Sequence, residues 1–350
     1  MRTSYHNEDV VLLLKDITGL VRPQPTKERE RLIQAGRHYC EMLPVEYMPS
    51  ETYLRMYEEA LDIYAQPTAD AVAVLSEKII QEKGADVVLV SLARAGIPIG
   101  ILIKRYLKWH YGMTVPHYAV SIIRGRGIDH NAMRVLLERY EPKQLQFVDG
   151  WIGKGAILNE LKKETAAFAG VSADLAVLAD PAHLTRLYGT AEDILIPSSC
   201  LNSTVCGLIS RTFLRDDVIG PDDFHGAAYY GEWKDADLSY AFLEAIQARF
   251  RPCTDPAAEQ VSAVRQNGRD EVRKIAAAFA ISDINRIKPG IGETTRVLLR
   301  RVPWKILAGC PDSPQLRHIC RLAQEKGVEV IQYPLACYQC CGIIRNMADA

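Results

Sequence analysis

Charged side chains are interleaved with glycines in three short segments of the first half of the chain. Arg94 precedes Gly96 in ARAG, Arg124 and Arg126 alternate with glycines in RGRG, and Asp149 begins DGWIGKGA. Each segment follows an apolar run that is typical of a buried strand. Glycines let backbone N–H groups approach an anion closely, and arginines bind phosphate oxygens. The three segments together therefore predict a site for a phosphorylated ligand.

The segment that begins at Asp149 is the most informative of the three. The glycines after Asp149 would open a helix, whose N-terminus carries partial positive charge. Asp149 could orient ribose hydroxyls, and Lys154 could bind a phosphate as a point charge. We expect Asp149, Arg94, Arg124 and Arg126 to act in catalysis. The expected substrate-binding residues are Ala95, Gly96, Gly150, Gly153, Lys154 and Gly155.

A cysteine cluster offers a second kind of chemistry, which is nucleophilic catalysis. Cys200 and Cys206 lie in IPSSCLNSTVCGLISR, among Ser, Thr and Asn at an expected strand-to-helix turn. A helix N-terminus would lower the pKa of a nearby thiol. His225 is the first candidate for the base and His183 the second. The alternative is a capped helix with buried thiols, or a pocket wall for a nucleobase.

The elements that must position these residues change in character along the chain. Helical spacing dominates the N-terminal part, with a break expected at Pro67. Short apolar runs alternating with helices then predict parallel βαβ units, whose ligands bind beyond the carboxyl ends of the strands. The predicted division is a helical extension at 1–85, an α/β domain at 86–250, a linker at 251–268 and a smaller α/β unit at 269–350.

Composition excludes several classes of protein. Of 350 residues, 48% are hydrophobic and 24% charged, which excludes a disordered or fibrous chain. Apolar runs fall short of a membrane span and no secretory signal pattern is found, so we expect a cytoplasmic protein without a membrane partner. The nine cysteines contain one CxxC pair, Cys337 and Cys340, and predict reduced thiols with no metal site.

Charge is distributed unevenly between the two parts of the chain. Residues 261–350 carry 14 Lys and Arg against 8 Asp and Glu, a net charge of +6, whereas residues 1–260 carry a net charge of −7. A basic C-terminal unit predicts a polyanionic partner at that end.

The three glycine-containing segments resemble the loops of type I phosphoribosyltransferases. QFVDGWIGKGA is similar to the ribose-phosphate loop, ARAG to the pyrophosphate loop, and RGRG stands where the flexible catalytic loop would be. The resemblance covers about residues 70–215 and implies phosphoribosyl pyrophosphate as substrate, with Mg²⁺ bridging its pyrophosphate. Gly150 replaces the second acid of the usual pair, which departs from the family pattern.

The segment KPGIGETTRVLLRR, with the strands and helices after it, resembles the RNA-binding domain of pelota and of kink-turn-binding ribosomal proteins. This resemblance spans about residues 281–345. It implies that Gly290, Gly292, Glu293 and Arg296 contact RNA.

The order of the three parts is similar to that of StiP-type proteins of tellurite-resistance and stress operons. We therefore predict an α/β fold with a type I phosphoribosyltransferase-like parallel sheet, a helical N-terminal extension and a small α/β/α pelota-like domain. The predicted function is a phosphoribosyltransferase with an RNA-binding module. A homodimer is the oligomeric state that we consider for it. The alternatives are a StiP-type cysteine peptidase using Cys200 or Cys206, and a non-catalytic, nucleotide-sensing RNA-binding protein.

Overall fold

The computed structural model describes residues 1–253 and 267–347. The strands are β1 (Val11–Leu12), β2 (Lys15–Asp16), β3 (Val88–Ala93), β4 (His117–Ile123), β5 (Gly127–Ile128), β6 (Leu145–Trp151), β7 (Leu175–Ala179), β8 (Tyr188–Thr190), β9 (Gly226–Ala227), β10 (Ile287–Pro289), β11 (Pro303–Ala308), β12 (Glu329–Gln332) and β13 (Cys340–Ile344). The α-helices are α1 (Thr26–Gln34), α2 (Glu51–Lys83), α3 (Gly96–Tyr111), α4 (His130–Leu137), α5 (Ala156–Thr165), α6 (Ser239–Gln247), α7 (Gly268–Ala278), α8 (Ile291–Arg300) and α9 (Arg317–Glu325). None of the described helices combines the length and the apolar composition needed to cross a membrane.

A mostly parallel central sheet confirms the predicted α/β class. Its strand order is β1-β4-β3-β6-β7-β8, with parallel pairing throughout, and β5 adds an antiparallel pairing to β4. The runs expected as strands form β3, β4, β6 and β7, and β4 and β7 are buried along their whole length. Helices pack against this sheet, as continuous apolar strands require. The carboxyl ends of β3, β4 and β6 therefore meet at one edge.

The N-terminal segment differs from the helical expectation in two respects. Helices α1 and α2 form, but β1 joins the central sheet beside β4 and β2 pairs with β9. Helix α2 also continues through Pro67, where a break was expected. Proline has no backbone N–H, so the helix lacks the one hydrogen bond that residue 67 would donate to the carbonyl oxygen of Ile63. Ile63 is 54% exposed, so water can replace this bond, while burial of Ala65 and Ala69 holds the helix in place.

A four-stranded sheet organises the C-terminal part. Its strand order is β10-β13-β11-β12, in which β11 and β12 are parallel and β13 is antiparallel to both its neighbours. The predicted strands correspond to β11 and β12, whereas β10 and β13 were not predicted. Of the predicted linker, residues 254–266 lie outside the described residues.

The two sheets are joined through a buried acidic residue. Asp193, in the loop after β8, accepts hydrogen bonds from the backbone N–H of Ile291 at 3.0 Å and of Gln339 at 2.8 Å. It thereby satisfies a donor at the start of α8, which has no other side-chain cap. Tyr338 adds a hydrogen bond from its hydroxyl to the carbonyl oxygen of Gly153, at 2.9 Å. The start of α8 is thus held against the end of β6.

Candidate functional site

A cleft of about 310 Å³ opens where the carboxyl ends of β3, β4 and β6 face the start of α8. Among the described residues that line it, the basic ones define what we call the cationic cleft: Arg29, Arg94, Arg124, Lys154, Arg211, Lys288, Arg296, Arg300 and Arg301. Several residues predicted from sequence line it as well, namely Ala95, Asp149, Gly153, Gly155 and Glu293. The three glycine-containing segments therefore do supply walls of one site.

Asp149 stands at the end of β6 on the floor of the cleft. Its Oδ1 accepts a hydrogen bond from the backbone N–H of Gly150 at 2.8 Å. Burial raises the pKa of Asp149 to about 6, against the opposing effects of that hydrogen bond and of Arg296. The carboxyl group is therefore partly protonated near neutral pH.

Arg94 and Arg124 have partners within the protein. Arg94 donates from Nη1 to the carbonyl oxygen of Ile209 at 2.5 Å, and its Nη2 lies 3.5 Å from Glu46. Arg124 donates from Nη1 to Asn285 at 2.9 Å, a residue of the C-terminal part. Both guanidinium groups are thus fixed in position at the wall of the cleft.

Two of the predicted residues have other tasks. Arg126 pairs with Glu41 at 2.9 Å. Gly96 packs directly on the central sheet, since a Cβ atom there would lie 2.3 Å from the carbonyl oxygen of Val148. Its lack of a side chain serves helix–strand packing.

The lysine of the DGWIGKGA segment bridges the two parts of the chain. Lys154 donates hydrogen bonds from Nζ to the carbonyl oxygens of Ile284 and Ile287. Burial, together with the charges of Lys288 and Arg124, lowers the pKa of Lys154 to about 7. Burial likewise lowers the pKa of Lys288 to about 8. Both lysines therefore titrate near neutral pH.

Five of the nine residues that define the cationic cleft were not among the site residues predicted from sequence. Arg29 comes from α1, Arg211 from the segment after the cysteine cluster, and Lys288, Arg300 and Arg301 from the C-terminal part. Arg29 lies in none of the segments singled out above, and Arg211 is the last residue of IPSSCLNSTVCGLISR. Lys288, Arg300 and Arg301 lie in KPGIGETTRVLLRR, whose expected role was RNA contact. Only the packing of α1 and α8 onto the sheet brings them to the cleft.

The RNA-contacting residues predicted in the C-terminal part face the cleft. Gly292 lies against the indole of Trp151, since a Cβ atom there would be 2.3 Å from Cε2. Arg296 stacks over the same ring at 4.4 Å and bonds to Glu293 at 3.1 Å. Gly290 has φ 89° and turns the chain into α8. The expected RNA-contacting surface is therefore covered by the first part of the chain.

The structure does not pair the predicted cysteines with the predicted bases. Cys200 ends one short 3₁₀ turn and Cys206 follows another, so the expected α-helix N-terminus is missing there. Burial raises the pKa of Cys200 to about 12 and also raises that of Cys206, although Arg94 and Arg300 oppose it. Across residues 1–253 and 267–347, no hydrogen bond joins either sulfur to His225.

The two candidate bases have other positions in the fold. The ring Nδ1 of His225 lies 2.9 Å from the hydroxyl oxygen of Ser121, and its backbone N–H donates to Asp129. His183 lies in the turn after Asp180, to whose carbonyl oxygen its backbone N–H donates at 3.2 Å.

A histidine–cysteine pair that sequence reasoning missed lies beside the cleft, between α1 and α2. Nδ1 of His38 lies 2.9 Å from Sγ of Cys40. Nε2 of His38 lies 3.1 Å from the carbonyl oxygen of Arg124, which can only accept a hydrogen bond. The proton of the neutral ring therefore sits on Nε2, and Nδ1 is an acceptor, both for the backbone N–H of Cys40 at 3.4 Å and for the thiol proton. The carbonyl oxygen of Leu214, 3.4 Å from Sγ, is the other acceptor within reach of the thiol. The signal in the sequence was HYC at 38–40, where Tyr39, between the two residues, lines the cleft.

Comparisons with known proteins give two family matches. The family model described as tellurite-like stress resistance cysteine protease StiP matches residues 3–247. The model of the PELOTA RNA binding domain matches residues 266–346.

Two individual proteins show different degrees of similarity. The cysteine protease StiP of Acinetobacter baylyi is 35% identical over 364 aligned positions, covering 98% of this chain and 94% of that protein. A hypoxanthine-guanine phosphoribosyltransferase structure from Bacillus anthracis has 15% identity and a TM-score of 0.27, covering 36% of this chain and 77% of that one. A likeness of that size carries no argument about fold or activity.

These matches overturn the predicted activity. The phosphoribosyltransferase assignment is wrong. The relative that matches over nearly its full length is a cysteine protease, and the matching family model describes a cysteine protease family. Phosphoribosyl pyrophosphate and Mg²⁺ were expected only because of that assignment, so nothing now supports either as a ligand. The runner-up prediction, a cysteine peptidase, fits the comparisons better.

Proposed function

The chain belongs to the family of tellurite-like stress resistance cysteine proteases StiP, and we propose that it hydrolyses peptide bonds with Cys40 as nucleophile and His38 as base. The observation that carries the residue assignment is the 2.9 Å contact between His38 Nδ1 and Cys40 Sγ. A nucleophile within hydrogen-bond reach of a base, which a third group orients in turn, is the arrangement that thiol catalysis needs.

His38 supplies the base in the required form. Burial lowers the pKa of His38 below its ordinary value, with the charges of Arg126 and Arg124 acting in the same direction. The ring is therefore neutral at pH 7, with Nδ1 free of a proton. The Arg124 carbonyl oxygen takes the place that a carboxylate or an amide often has in such sites.

Cys40 begins the reaction as a thiol. Burial raises the pKa of Cys40 to about 11, although Arg126 and Arg211 oppose this. Attack on a peptide carbonyl carbon therefore transfers the thiol proton to His38 Nδ1 as the S–C bond forms. The imidazolium then returns the proton to the leaving amine, and water hydrolyses the thioester.

A substrate must reach a sulfur that is covered in the structure. Cys40 is fully buried, but His38 and Tyr39 are partly exposed. A small displacement of the turn at Tyr39–Glu41 would open the sulfur toward the cleft, whose wall Tyr39 forms.

We expect casein hydrolysis by the full chain to be lost on treatment with iodoacetamide. Alkylation converts the thiol into a thioether, which has no proton to transfer to His38 and cannot form the S–C bond to the substrate, whereas a chelator removes nothing that this mechanism uses. The measurement is release of fluorescent peptides from labelled casein, with untreated and EDTA-treated protein as controls. Activity that survives complete alkylation, or that EDTA abolishes, would contradict the proposed mechanism.

RNA binding by the C-terminal part is a second function that the pelota match supports. Since Gly292 and Arg296 contact Trp151, we propose that RNA gains access to this surface when α8 moves away from the end of β6. RNA with a sharp bend is the expected form, because the major groove of a plain A-form duplex hides its bases.

Replacement of Trp151 by alanine should strengthen RNA binding. The change removes a cation–π contact of about 0.5–2 kcal/mol that competes with RNA for Arg296, so a roughly 2- to 30-fold gain is expected. Fluorescence anisotropy of the full chain with bent and straight RNA at several salt concentrations measures it. Trp109→Ala, at an exposed tryptophan of α3, is the matched control. Absence of binding to either RNA at low salt would rule the function out.

A further inference from the structure

The cationic cleft holds more positive charge than the protein neutralises. Glu293 bonds to Arg296 at 3.1 Å, and Glu46 lies 3.5 Å from Arg94. Glu30, which like Glu46 lies outside the lining, bonds to Arg301 at 2.6 Å. With these three carboxylates and Asp149 set against the seven arginines of the cationic cleft, three positive charges remain, and Lys154 and Lys288, whose pKa values are about 7 and about 8, add to them when protonated.

Arg29 is the clearest sign that a partner belongs in the cleft. It is 1% exposed, and within the described part of the chain its Nε and Nη2 atoms have no hydrogen-bond partner. Burying a guanidinium group without partners for its N–H donors is costly unless an anion binds there. Burial lowers the pKa of Arg29 to about 10, with the charge of Arg301 acting in the same direction.

A second buried cation faces the same space. Arg211 lies 4.4 Å above the ring of Tyr39. Burial and the charge of Arg29 lower the pKa of Arg211 to about 9. The two arginines come from different segments and repel each other, so their approach destabilises the unliganded protein.

We propose that the cationic cleft binds a small molecule with two or more phosphate groups. Phosphate carries up to two negative charges and three acceptor oxygens, which match the planar donors of several guanidinium groups. Three or more excess charges need more than one such group.

The size and walls of the cleft favour a small ligand. Its volume of about 310 Å³ is at the lower end of small-molecule sites and too small for a nucleic acid duplex. The Gly153–Gly155 loop at the start of α5 adds backbone donors beside Lys154. Because Lys288, Arg296 and Arg300 belong to the C-terminal part, the ligand would also hold that part against the central sheet.

Isothermal titration of the full chain with inorganic pyrophosphate and tripolyphosphate tests this site, each with and without Mg²⁺. We expect saturable binding of both, and binding of orthophosphate at least tenfold weaker. Arg29→Met should weaken pyrophosphate binding about 10- to 100-fold, since it removes charge-assisted hydrogen bonds. Arg55→Met, at an exposed arginine of α2, should leave binding unchanged.

Thermal unfolding of the unsubstituted chain gives an independent readout should Arg29→Met fail to fold. Pyrophosphate should raise the melting temperature, and a glutamate-rich peptide of equal charge should not. No binding and no thermal shift at millimolar pyrophosphate and low salt would overturn the proposal. Equal weakening by Arg55→Met, or tighter binding of the acidic peptide, would overturn it too.

Discussion

Replacing Cys40 with alanine should reduce peptide hydrolysis by about 10⁴- to 10⁶-fold. The sulfur is the atom that attacks the carbonyl carbon, and no neighbouring group can take its place. His38→Gln should cost nearly as much, because the residues of such a pair act as a unit and their losses do not add. The measurement is kcat/KM on the fluorescent substrate for which the unsubstituted chain is active.

The other buried thiols provide the controls for this prediction. Cys200→Ala and Cys206→Ala should each keep activity within a few-fold, provided that the unfolding midpoint is unchanged. Loss of activity in one of these variants, with full activity in Cys40→Ala, would return the nucleophile to the cluster that the sequence offered as its alternative.

The second large effect concerns folding. Gly96→Ala should lower the free energy of unfolding by about 3 kcal/mol or more, at the upper end of overpacking effects. A Cβ atom at Gly96 would lie 2.3 Å from the carbonyl oxygen of Val148 and 3.0 Å from Cα of Asp149. Both atoms belong to the backbone of β6, so neither can turn aside as a side chain would. Urea unfolding measures the change.

Gly309→Ala is the matched control for this substitution. Its Cβ atom would meet the nearest atom, a backbone oxygen of Gln339, at 3.7 Å, which is ordinary contact. We expect a change of less than about 1 kcal/mol there. Comparable stability of Gly96→Ala and Gly309→Ala would contradict the packing role assigned to Gly96.

The part of the site that sequence predicted is the part that strand topology creates. Arg94, Arg124 and Asp149 follow parallel strands, whose carboxyl ends must meet at one edge. Apolar runs identified those strands, so the meeting point could be deduced from local patterns. The activity of the site at this edge was harder to infer. The cationic and glycine-rich loops suggested a transferase, which the match to a protease family contradicts.

The missed residues depend on tertiary packing. His38 and Cys40 are two positions apart and meet because the 3₁₀ turn at Tyr39–Glu41 folds the ring back onto the sulfur. Nothing in the letters HYC distinguishes this turn from the helical pattern around it. Arg29 likewise lies in α1, where its polar spacing predicts a solvated face, yet α1 packs with Arg29 against the cleft.

Trapping the nucleophile with a peptide chloromethyl ketone tests the central claim most directly. Trypsin divides the candidates cleanly, since Cys40 lies in the peptide 38–55, whereas Cys200 and Cys206 share the peptide 187–211. We expect inhibition to develop in step with one adduct on peptide 38–55, and His38→Gln to slow its formation. An adduct on peptide 187–211 that develops in step with inhibition, with Cys40 unmodified, would contradict the assignment of Cys40 as nucleophile.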